Sequence, residues 1–559
     1  MNWEVLIMKS KISFFNATVF RKDVTRFAPL WALYLIGGML FMLSITNSHN
    51  DYSTARTLGT SLSLLPTINF VYAALSAFLL FGDLFKGRLC NALHAMPLRR
   101  EAWFVTHSIS GLAFSLVPNA LLAVMIMPRL GSLWFVGLLW LLGVTLQYLF
   151  FFGVALFSCL CVGNKVGAAT VYAILNFGSL VVLWFVTAIY QPMMYGVEIS
   201  QDIFTFLCPV YQMTGAYEYI VFRRASNQYY FNGLGEIWLY MAVAAGIGLV
   251  FGLLALLLYR RRKLEAAGDF IAVRPIAPIF GVIFALCSGA FFSLFGQLFA
   301  NEIAIYLLIG ICVGWFAGQM LLKRTVKVFQ GKSFLKLGIL VAAMIVSVLL
   351  VKFDVFGIVR WTPDADDVVS ITLSNRYDAN SYAEYEIKAT EEAEIQFLID
   401  LHKESIANGS KDLSGQARLP LYFEYRLRNG TTVRRQYLTP VSGSRKDTLR
   451  KIFSDPALVL GTKDWRGNLD SIEFIDVNGV KIPKNAYESL LTAMEADCLA
   501  GNMAYHYTLH DSGSEKTWIT LVWAAPNGTE NYQNIPVYPD ATNTIKWLQE
   551  HIGLLVIGK

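Results

Sequence analysis

Charge is scarce in this chain. Only 15% of its 559 residues are Asp, Glu, Lys or Arg, against roughly 25% in ordinary soluble domains, which excludes a single water-soluble core. Cysteine is confined: of seven, at positions 90, 159, 161, 208, 287, 312 and 498, only Cys498 follows residue 351. No disulfide can therefore form within the C-terminal stretch. No cysteine pair has the two-residue spacing with a nearby histidine that a zinc site needs, so these residues read as small buried hydrophobes. Gly-x-Ser-x-Gly and His-Glu-x-x-His phrases are missing, leaving hydrolysis without support. A cleavable leader is also not expected, because Lys9, Lys11, Arg21, Lys22 and Arg26 precede a first apolar run too long for a signal sequence.

What charge there is divides unevenly. Residues 1 to 351 carry 24 Lys and Arg against 12 Asp and Glu, and the remainder carries 22 against 28. The basic half is no nucleic-acid footprint, since its Lys and Arg sit in short clusters between long apolar runs. Nine runs approach the ~20 residues needed to cross a bilayer: 28–46, 64–81, 103–127, 134–160, 168–190, 237–259, 276–299, 303–322 and 337–351. One set of connecting segments holds 20 Lys and Arg, and the opposite set holds four, Arg56, Arg129, Arg223 and Arg224. The basic set is expected in the cytoplasm, with everything after about residue 352 outside the cell membrane. The triplets at Asn408, Asn429 and Asn527 carry no weight as glycan sites outside a eukaryotic secretory context.

Ionisable groups are almost absent from the spans, His107 and the boundary residue Glu302 excepted. Ion-coupled pumps usually keep carboxylates or amines near the midplane, where burial costs ~2.5 kcal/mol or more, so ion coupling is not expected. Intramembrane amides remain, notably Asn69, Asn119, Gln147 and Asn176, together with Gln297 and Gln319. Cross-helix hydrogen bonding and substrate contact are both open to them.

Residues 7–26 place Ile12, Phe15 and Val19 on one stripe among basic residues, the pattern of a helix lying in the membrane interface. The loop 82–104, on the basic side between spans two and three, is more informative. Leu89, Leu93 and Met96 stand at i, i+4 and i+7, so a short helix offers an apolar stripe before Pro97 ends it. A partner and the bilayer surface are equally compatible with that stripe.

Met96-Pro97-Leu98-Arg99-Arg100 closes this loop, and the phrase resembles the Leu-Pro-x-x-Arg-like end of the first cytoplasmic helix in the membrane subunit of type-2 ABC exporters. The resemblance covers residues 7–259. It implies that Leu93, Met96, Pro97, Leu98 and Arg100, with Leu89 added from the stripe, contact an ATPase subunit. It also implies that ATP and Mg bind that partner, with no cofactor or metal on this chain, and that a second permease copy or a related permease completes the assembly. The stretch Leu207-Cys208-Pro209-Val210 is similar to the partly re-entrant segment before the last core span of such permeases. Three further spans and an outer domain depart from the six-span pattern and resemble larger permeases of Gram-positive bacteria.

Gly331-Lys332-Ser333 is no Walker A loop, because position 326 is Val and the segment reads as a short basic turn between spans. From about residue 365, strand and helix patterns alternate. Strands are expected over 368–373, 382–387, 421–427, 432–438, 472–475, 504–509 and 517–523, with helices over 391–406, 444–453, 485–499 and 543–551. On the 391–406 helix Ile395, Leu398, Ile399 and His402 share a face. The recurring order points to an α+β domain built by internal duplication. His506, His510 and Asp511 invite a metal, but two ligands four apart on a strand stand ~13 Å apart, too far for one ion.

The expected architecture is thus a polytopic α-helical membrane protein with a C-terminal extracytoplasmic α+β domain: an interfacial helix over 1–26, a six-span core over 27–259, three added spans over 260–351 and the outer domain over 352–559. The expected function is a permease subunit, itself no enzyme, exporting a hydrophobic compound, peptide antibiotic or lipid with a separate ATPase. A membrane sensor or resistance receptor, and a membrane enzyme acting on lipid or polymer, remain as alternatives.

Overall fold

The computed structural model describes residues 14–46, 51–94, 99–216, 219–225, 228–262, 277–299, 303–375, 386–408, 418–440, 444–460, 465–467, 469–504, 509–510, 517–524 and 530–553. The chain divides into two compact units, one of residues 1–186 and 200–345, the other of residues 187–199 and 346–559. The inclusion of 187–199 in the second unit is not legible from a linear division at residue 352.

The first unit is helical. In order it contains α1 (Ala17–Arg26), α2 (Ala28–Thr46), α3 (Asp51–Ser61), α4 (Leu65–Leu80), α5 (Gly87–His94), α6 (Arg100–Ile126), α7 (Phe135–Cys161), α8 (Lys165–Phe185), α9 (Asp202–Phe206), α10 (Pro209–Thr214), the hairpin β1 (Ile220–Ala225) and β2 (Gln228–Leu234), α11 (Ile237–Arg261), α12 (Ala277–Phe299), α13 (Ile303–Lys323) and α14 (Gly331–Lys352), which runs into the second unit. Among the described residues eight helices are long and apolar enough to cross a membrane, and a ninth span results if α3 and α4, bent by 51° at their junction, count as one. This is a polytopic membrane protein.

Three expectations change. The second span is not one straight run: α4 has 16 residues, about 24 Å, and needs α3 to span. Pro66 causes the break, since it has no N–H for the carbonyl of Leu62 and its ring crowds that position. The last span begins at Gly331 rather than near residue 337, so Gly331-Lys332-Ser333 forms the first helical turn instead of a loop. At the start of the chain, α1 begins only after Asn16, whose side chain caps the amides of Thr18 and Val19. Phe15 therefore precedes the helix, and Ile12 lies outside the described residues. The β1–β2 hairpin was not anticipated, and α9 and α10 are the short helices that occupy the segment expected to be re-entrant.

Helices α7 and α11 approach to backbone contact. A Cβ on Gly153 would overlap the carbonyl of Gly248, and one on Gly248 would overlap the α7 backbone at Leu149 and Phe150. Small residues permit this approach, which stands in for the hydrophobic driving force that lipid does not supply.

The second unit contains β3 (Val368–Ser374), β4 (Glu386–Ala389), α15 (Glu392–Asn408), β5 (Arg418–Leu427), β6 (Thr432–Pro440), α16 (Ser444–Phe453), α17 (Pro456–Val459), β7 (Ile472–Val477), β8 (Val480–Lys481), α18 (Tyr487–Leu499), β9 (Thr517–Ala524), β10 (Glu530–Val537) and α19 (Thr542–Ile552). Its two antiparallel sheets have orders β4-β3-β5-β6 and β8-β7-β9-β10. Both repeats run strand, strand, helix, strand, strand, helix with equivalent strands in equivalent places, so the unit is an internal duplication. Ile371, Leu398, Phe423 and Phe453 lie in one core, and Ile475, Leu491, Leu521 and Leu548 in the other. Asn478 and Gly479 both take positive φ, +49° and +88°, the geometry a two-residue hairpin demands.

The strand expected over 504–509 is not formed at Ala504 or Leu509, both of which fill the core of the first repeat. Of the strand expected over 382–387, Glu386 and Ile387 lie in β4, and residues 382–385 lie outside the described ones. β10 escaped prediction because Asn531, Gln533, Asn534 and Pro536 break its apolar alternation.

The α7–α11 contact makes opposite demands on two glycines of one helix. Alanine normally favours a helix over glycine by about 1 kcal/mol, so Gly246→Ala, with nothing within 4 Å of its added methyl, should raise or hold the melting temperature in detergent. Gly248→Ala should lower it, through overpacking that typically costs about 1–3 kcal/mol. Equal shifts would show that α7 and α11 do not pack at Gly248.

Candidate functional site

Loop 82–104 leaves α4 through a 3-10 turn over Gly82–Phe85, in which Leu84 and Phe85 are buried, and then forms α5. Leu89 on α5 is 40% exposed. Leu93 lies one turn further along the same helix, whereas Met96, Pro97 and Leu98 lie outside the described residues. Arg100 is engaged within the chain: its Nη1 donates to the carbonyl of Arg262 at 3.2 Å.

Arg262 is the residue that sequence reading passed over. Its Nη1 donates to the carbonyl of Cys159 at 3.2 Å and its Nη2 to the carbonyl of Leu84 at 3.4 Å. Cys159 belongs to the last turn of α7, where carbonyls have no helical donor and the helix dipole favours a cation. Around it, Arg26 of α1 pairs with Asp83 at 3.1 Å, and Arg260 of α11 pairs with Glu101 of α6 at 3.2 Å. Helices α1, α4, α6, α7 and α11 therefore all meet the ends of the loop that carries α5. In the sequence Arg262 is one of a run, Arg260-Arg261-Arg262-Lys263, that reads only as a topology signal.

α1 is fixed to α6 by a second polar contact. Asp23 is buried, its Oδ2 accepts from Ser110 Oγ at 2.8 Å, and His107 Nδ1 lies 2.7 Å from the same oxygen. The amide of Asn16 donates to Thr106 Oγ1 at 3.0 Å. His107, the one ionisable residue recognised inside a span, thus faces a carboxylate supplied by the helix expected to lie in the interface.

Four of the intramembrane amides, Asn69, Asn119, Gln147 and Asn176, are engaged between or along helices. Asn69 Nδ2 donates to Gln147 Oε1 at 3.1 Å, and Gln147 Nε2 donates to the carbonyl of Leu62 at 3.0 Å. That carbonyl is the one Pro66 cannot serve, so a side chain of α7 satisfies the backbone group freed by the bend. Asn119 accepts from Tyr34 Oη and donates to Ser115 Oγ, each at 3.1 Å. Asn176 Nδ2 donates to the Tyr172 carbonyl at 2.8 Å. The oxygens Asn69 Oδ1 and Asn176 Oδ1 are buried without a hydrogen-bond partner.

In the second unit, residues 187–199 dock on the edge of a sheet. Val197 bridges to Arg435, the amide of Gln436 donates to the Gly196 carbonyl at 2.9 Å, and the ring of Tyr195 lies 5.4 Å from that of Tyr437. Gly196, at φ +77°, passes so close to Tyr437 that a Cβ would overlap its ring. The segment thereby covers β6, the outer strand of its sheet. Beneath Tyr437, the buried His402 places Nε2 2.7 Å from Tyr437 Oη and Nδ1 2.8 Å from Tyr425 Oη. A neutral ring serves both phenols, donating to one and accepting from the other. Burial, with the Arg435 guanidinium beside it, holds the imidazole down to about 3, and burial pushes both phenols well above their ordinary range.

His510 does not sit in a metal-binding arrangement. Its Nε2 is 2.6 Å from the Ala504 carbonyl, and its Nδ1 is 3.1 Å from Asp540 Oδ2, which also receives Arg450 Nη2 at 3.1 Å. Among the described residues no group of three His, Cys, Asp or Glu side chains could hold an ion; His506 and Asp511 lie outside them. No protein family matches the chain, and no curated protein or solved structure is significantly similar to it.

His402 gives a pH dependence of definite sign. Its folded-state value, about 3, lies below the ~6.5 of an unfolded histidine. The neutral ring therefore contributes stability that is present above pH ~6.5 and is lost progressively as pH falls towards 3, a loss of order 4 kcal/mol at the acid end. In acid titrations followed by near-UV circular dichroism, His402→Gln should flatten the slope between pH 6 and 4. Superimposable curves would remove His402 as the source.

Proposed function

We propose that this chain is the membrane permease subunit of an ATP-driven transporter similar to type-2 ABC exporters, and that ATP and Mg bind a separate ATPase. The observation that carries this reading is the setting of α5, an eight-residue helix with an exposed leucine, in a loop whose start at Asp83 and Leu84 engages Arg26 and Arg262, and whose far end at Arg100 and Glu101 engages Arg262 and Arg260. A push on such a helix reaches the helices that meet the ends of its loop. The Lys and Arg bias supports a cytoplasmic setting for this face and an outer one for the duplicated unit. ATPase subunits seated against Leu89, Leu93 and Met96 would then drive alternating access, with a second permease copy or a related permease completing the pathway. The oxygens of Asn69 and Asn176 are buried acceptors without a hydrogen-bond partner, and a hydrophobic compound, a peptide antibiotic or a lipid fits the apolar setting.

A second reading, a receptor whose outer unit binds a ligand, is favoured by one feature. The 187–199 segment that pairs with β6 is continuous with α8, so a ligand that shifts that edge acts on a membrane helix through the chain itself.

Affinity purification in mild detergent tests the first reading. The wild-type chain should recover an ATPase subunit, and Leu89→Asp combined with Leu93→Asp should cut recovery at least tenfold, as removal of a docking anchor worth about 2 kcal/mol requires. Undiminished recovery would show that α5 is not the contact. ATP-dependent movement of cargo in proteoliposomes separates the transporter from the receptor.

A further inference from the structure

The turn between α13 and α14 carries positive charge that the fold does not answer. Lys323, Lys327, Lys332 and Lys336 are all exposed there, and no Asp or Glu occurs between Glu302 and Asp354. None of the four joins an ion pair among the described residues. Arg324 of the same turn is already engaged. By contrast, Arg26, Arg260 and Arg262 each meet a carboxylate or a carbonyl.

Two of these lysines stand where a helix least favours them. Lys332 and Lys336 are the second and sixth residues of α14, and its first turn holds no acidic residue, although free amides and the helix dipole attract negative charge at that end. Between them Ser333 is 4% exposed, and its Oγ is buried without a hydrogen-bond partner. The turn is held in shape from α13. Trp315 Nε1 donates to the Ser333 carbonyl at 3.2 Å, and the Phe316 ring lies 4.7 Å from that of Phe329 and 5.1 Å from that of Phe334.

Position along the spans selects the anion. α13 has 21 residues and α14 has 22, each about 32 Å long, which matches the ~30 Å hydrocarbon core of a bilayer. The turn that joins them therefore lies at the level of lipid phosphates. Apolar surface accompanies the charge: Val326 and Phe329 are 73% and 61% exposed, and a cavity of about 400 Å³ is lined by Ala317, Met320, Leu321, Arg324, Thr325 and Val326. A soluble anion gains nothing from such surface, whereas an acyl chain covers it while its phosphate meets the ammonium groups.

We propose that the α13–α14 turn binds an anionic phospholipid, with the headgroup at Lys332 and Lys336, one helical turn apart on α14, and an acyl chain along Met320 and Leu321. Lys323 and Lys327 add to the attraction. The site requires neither an ATPase nor movement of cargo, so it is independent of the transport reading.

The test is native mass spectrometry of the full chain, released from micelles that hold equal amounts of dioleoyl phosphatidylglycerol and dioleoyl phosphatidylcholine. The wild-type chain should retain phosphatidylglycerol in about tenfold preference. Lys327→Gln, Lys332→Gln and Lys336→Gln together should abolish the preference and leave phosphatidylcholine retention unchanged, whereas arginine at the same three positions should preserve it. Lys388→Gln, Lys484→Gln and Lys546→Gln together, which remove equal charge from the second unit, should also preserve it. An excess of glycerol 3-phosphate, a headgroup without chains, should displace nothing. Equal retention of the two lipids by the wild type, a preference that survives the first glutamine set, or one lost in the arginine set or in the second glutamine set would overturn the proposal. Displacement by glycerol 3-phosphate would overturn it too, by showing a site for a soluble anion.

Discussion

The guanidinium of Arg262 holds together one end of the helical unit. It donates to the last turn of α7 and to the turn that follows α4, while its own carbonyl receives Arg100 at the start of α6. Away from bulk water, carbonyls at helix ends must find donors from the protein itself, and one planar cation can serve two that point from different helices. The turn that leads into α5 is tied to α7 by this contact. Arg26–Asp83 and Arg260–Glu101 extend the same junction to α1 and across from α11. The proposed transmission of force depends on it, because a mobile loop would absorb a push that a stapled one passes on.

Elsewhere the same rule, that freed backbone and buried polar groups must be answered, explains features that look unrelated. Pro66 breaks a span, and Gln147 answers the carbonyl it releases. Glycines at 153 and 248 let α7 and α11 approach to backbone contact. In the duplicated unit, Asp497 is fully buried yet satisfied, since it accepts from the amides of Asn543 and Thr544 at the start of α19 at 3.2 and 2.7 Å, where a helix favours negative charge. The neutral His402 between Tyr425 and Tyr437 follows the same logic beneath the strand edge that residues 187–199 cover.

Much of this architecture is legible in one dimension. Apolar runs of span length, the turns Asn429-Gly430 and Asn478-Gly479, and the recurring strand and helix phrases after residue 365 are local signals. The structure adds the identical strand order of the two sheets, which makes the suspected duplication concrete. What stayed hidden depends on contacts between distant residues. Arg262 reads as one basic residue among four, Asp23 as part of a charged flank, and residues 187–199 as a loop; each acquires its role only from its partner, Leu84, His107 or β6. The β10 strand was missed for a different reason, because its polar residues conceal a pairing with β9 that packing enforces. At the proposed coupling helix, the spacing of Leu89 and Leu93 is legible in the sequence, whereas the internal use of Arg100 is not.

The most direct measurement is a pulsed dipolar distance between spin labels at Arg88 on α5 and Leu253 on α11, in a chain whose native cysteines are replaced, with the ATPase partner bound and with and without nucleotide. If Arg262 makes the loop and the spans move as one body, the distance stays constant in the otherwise native chain and becomes nucleotide-dependent in Arg262→Ala. A nucleotide-dependent change with Arg262 intact would contradict the account.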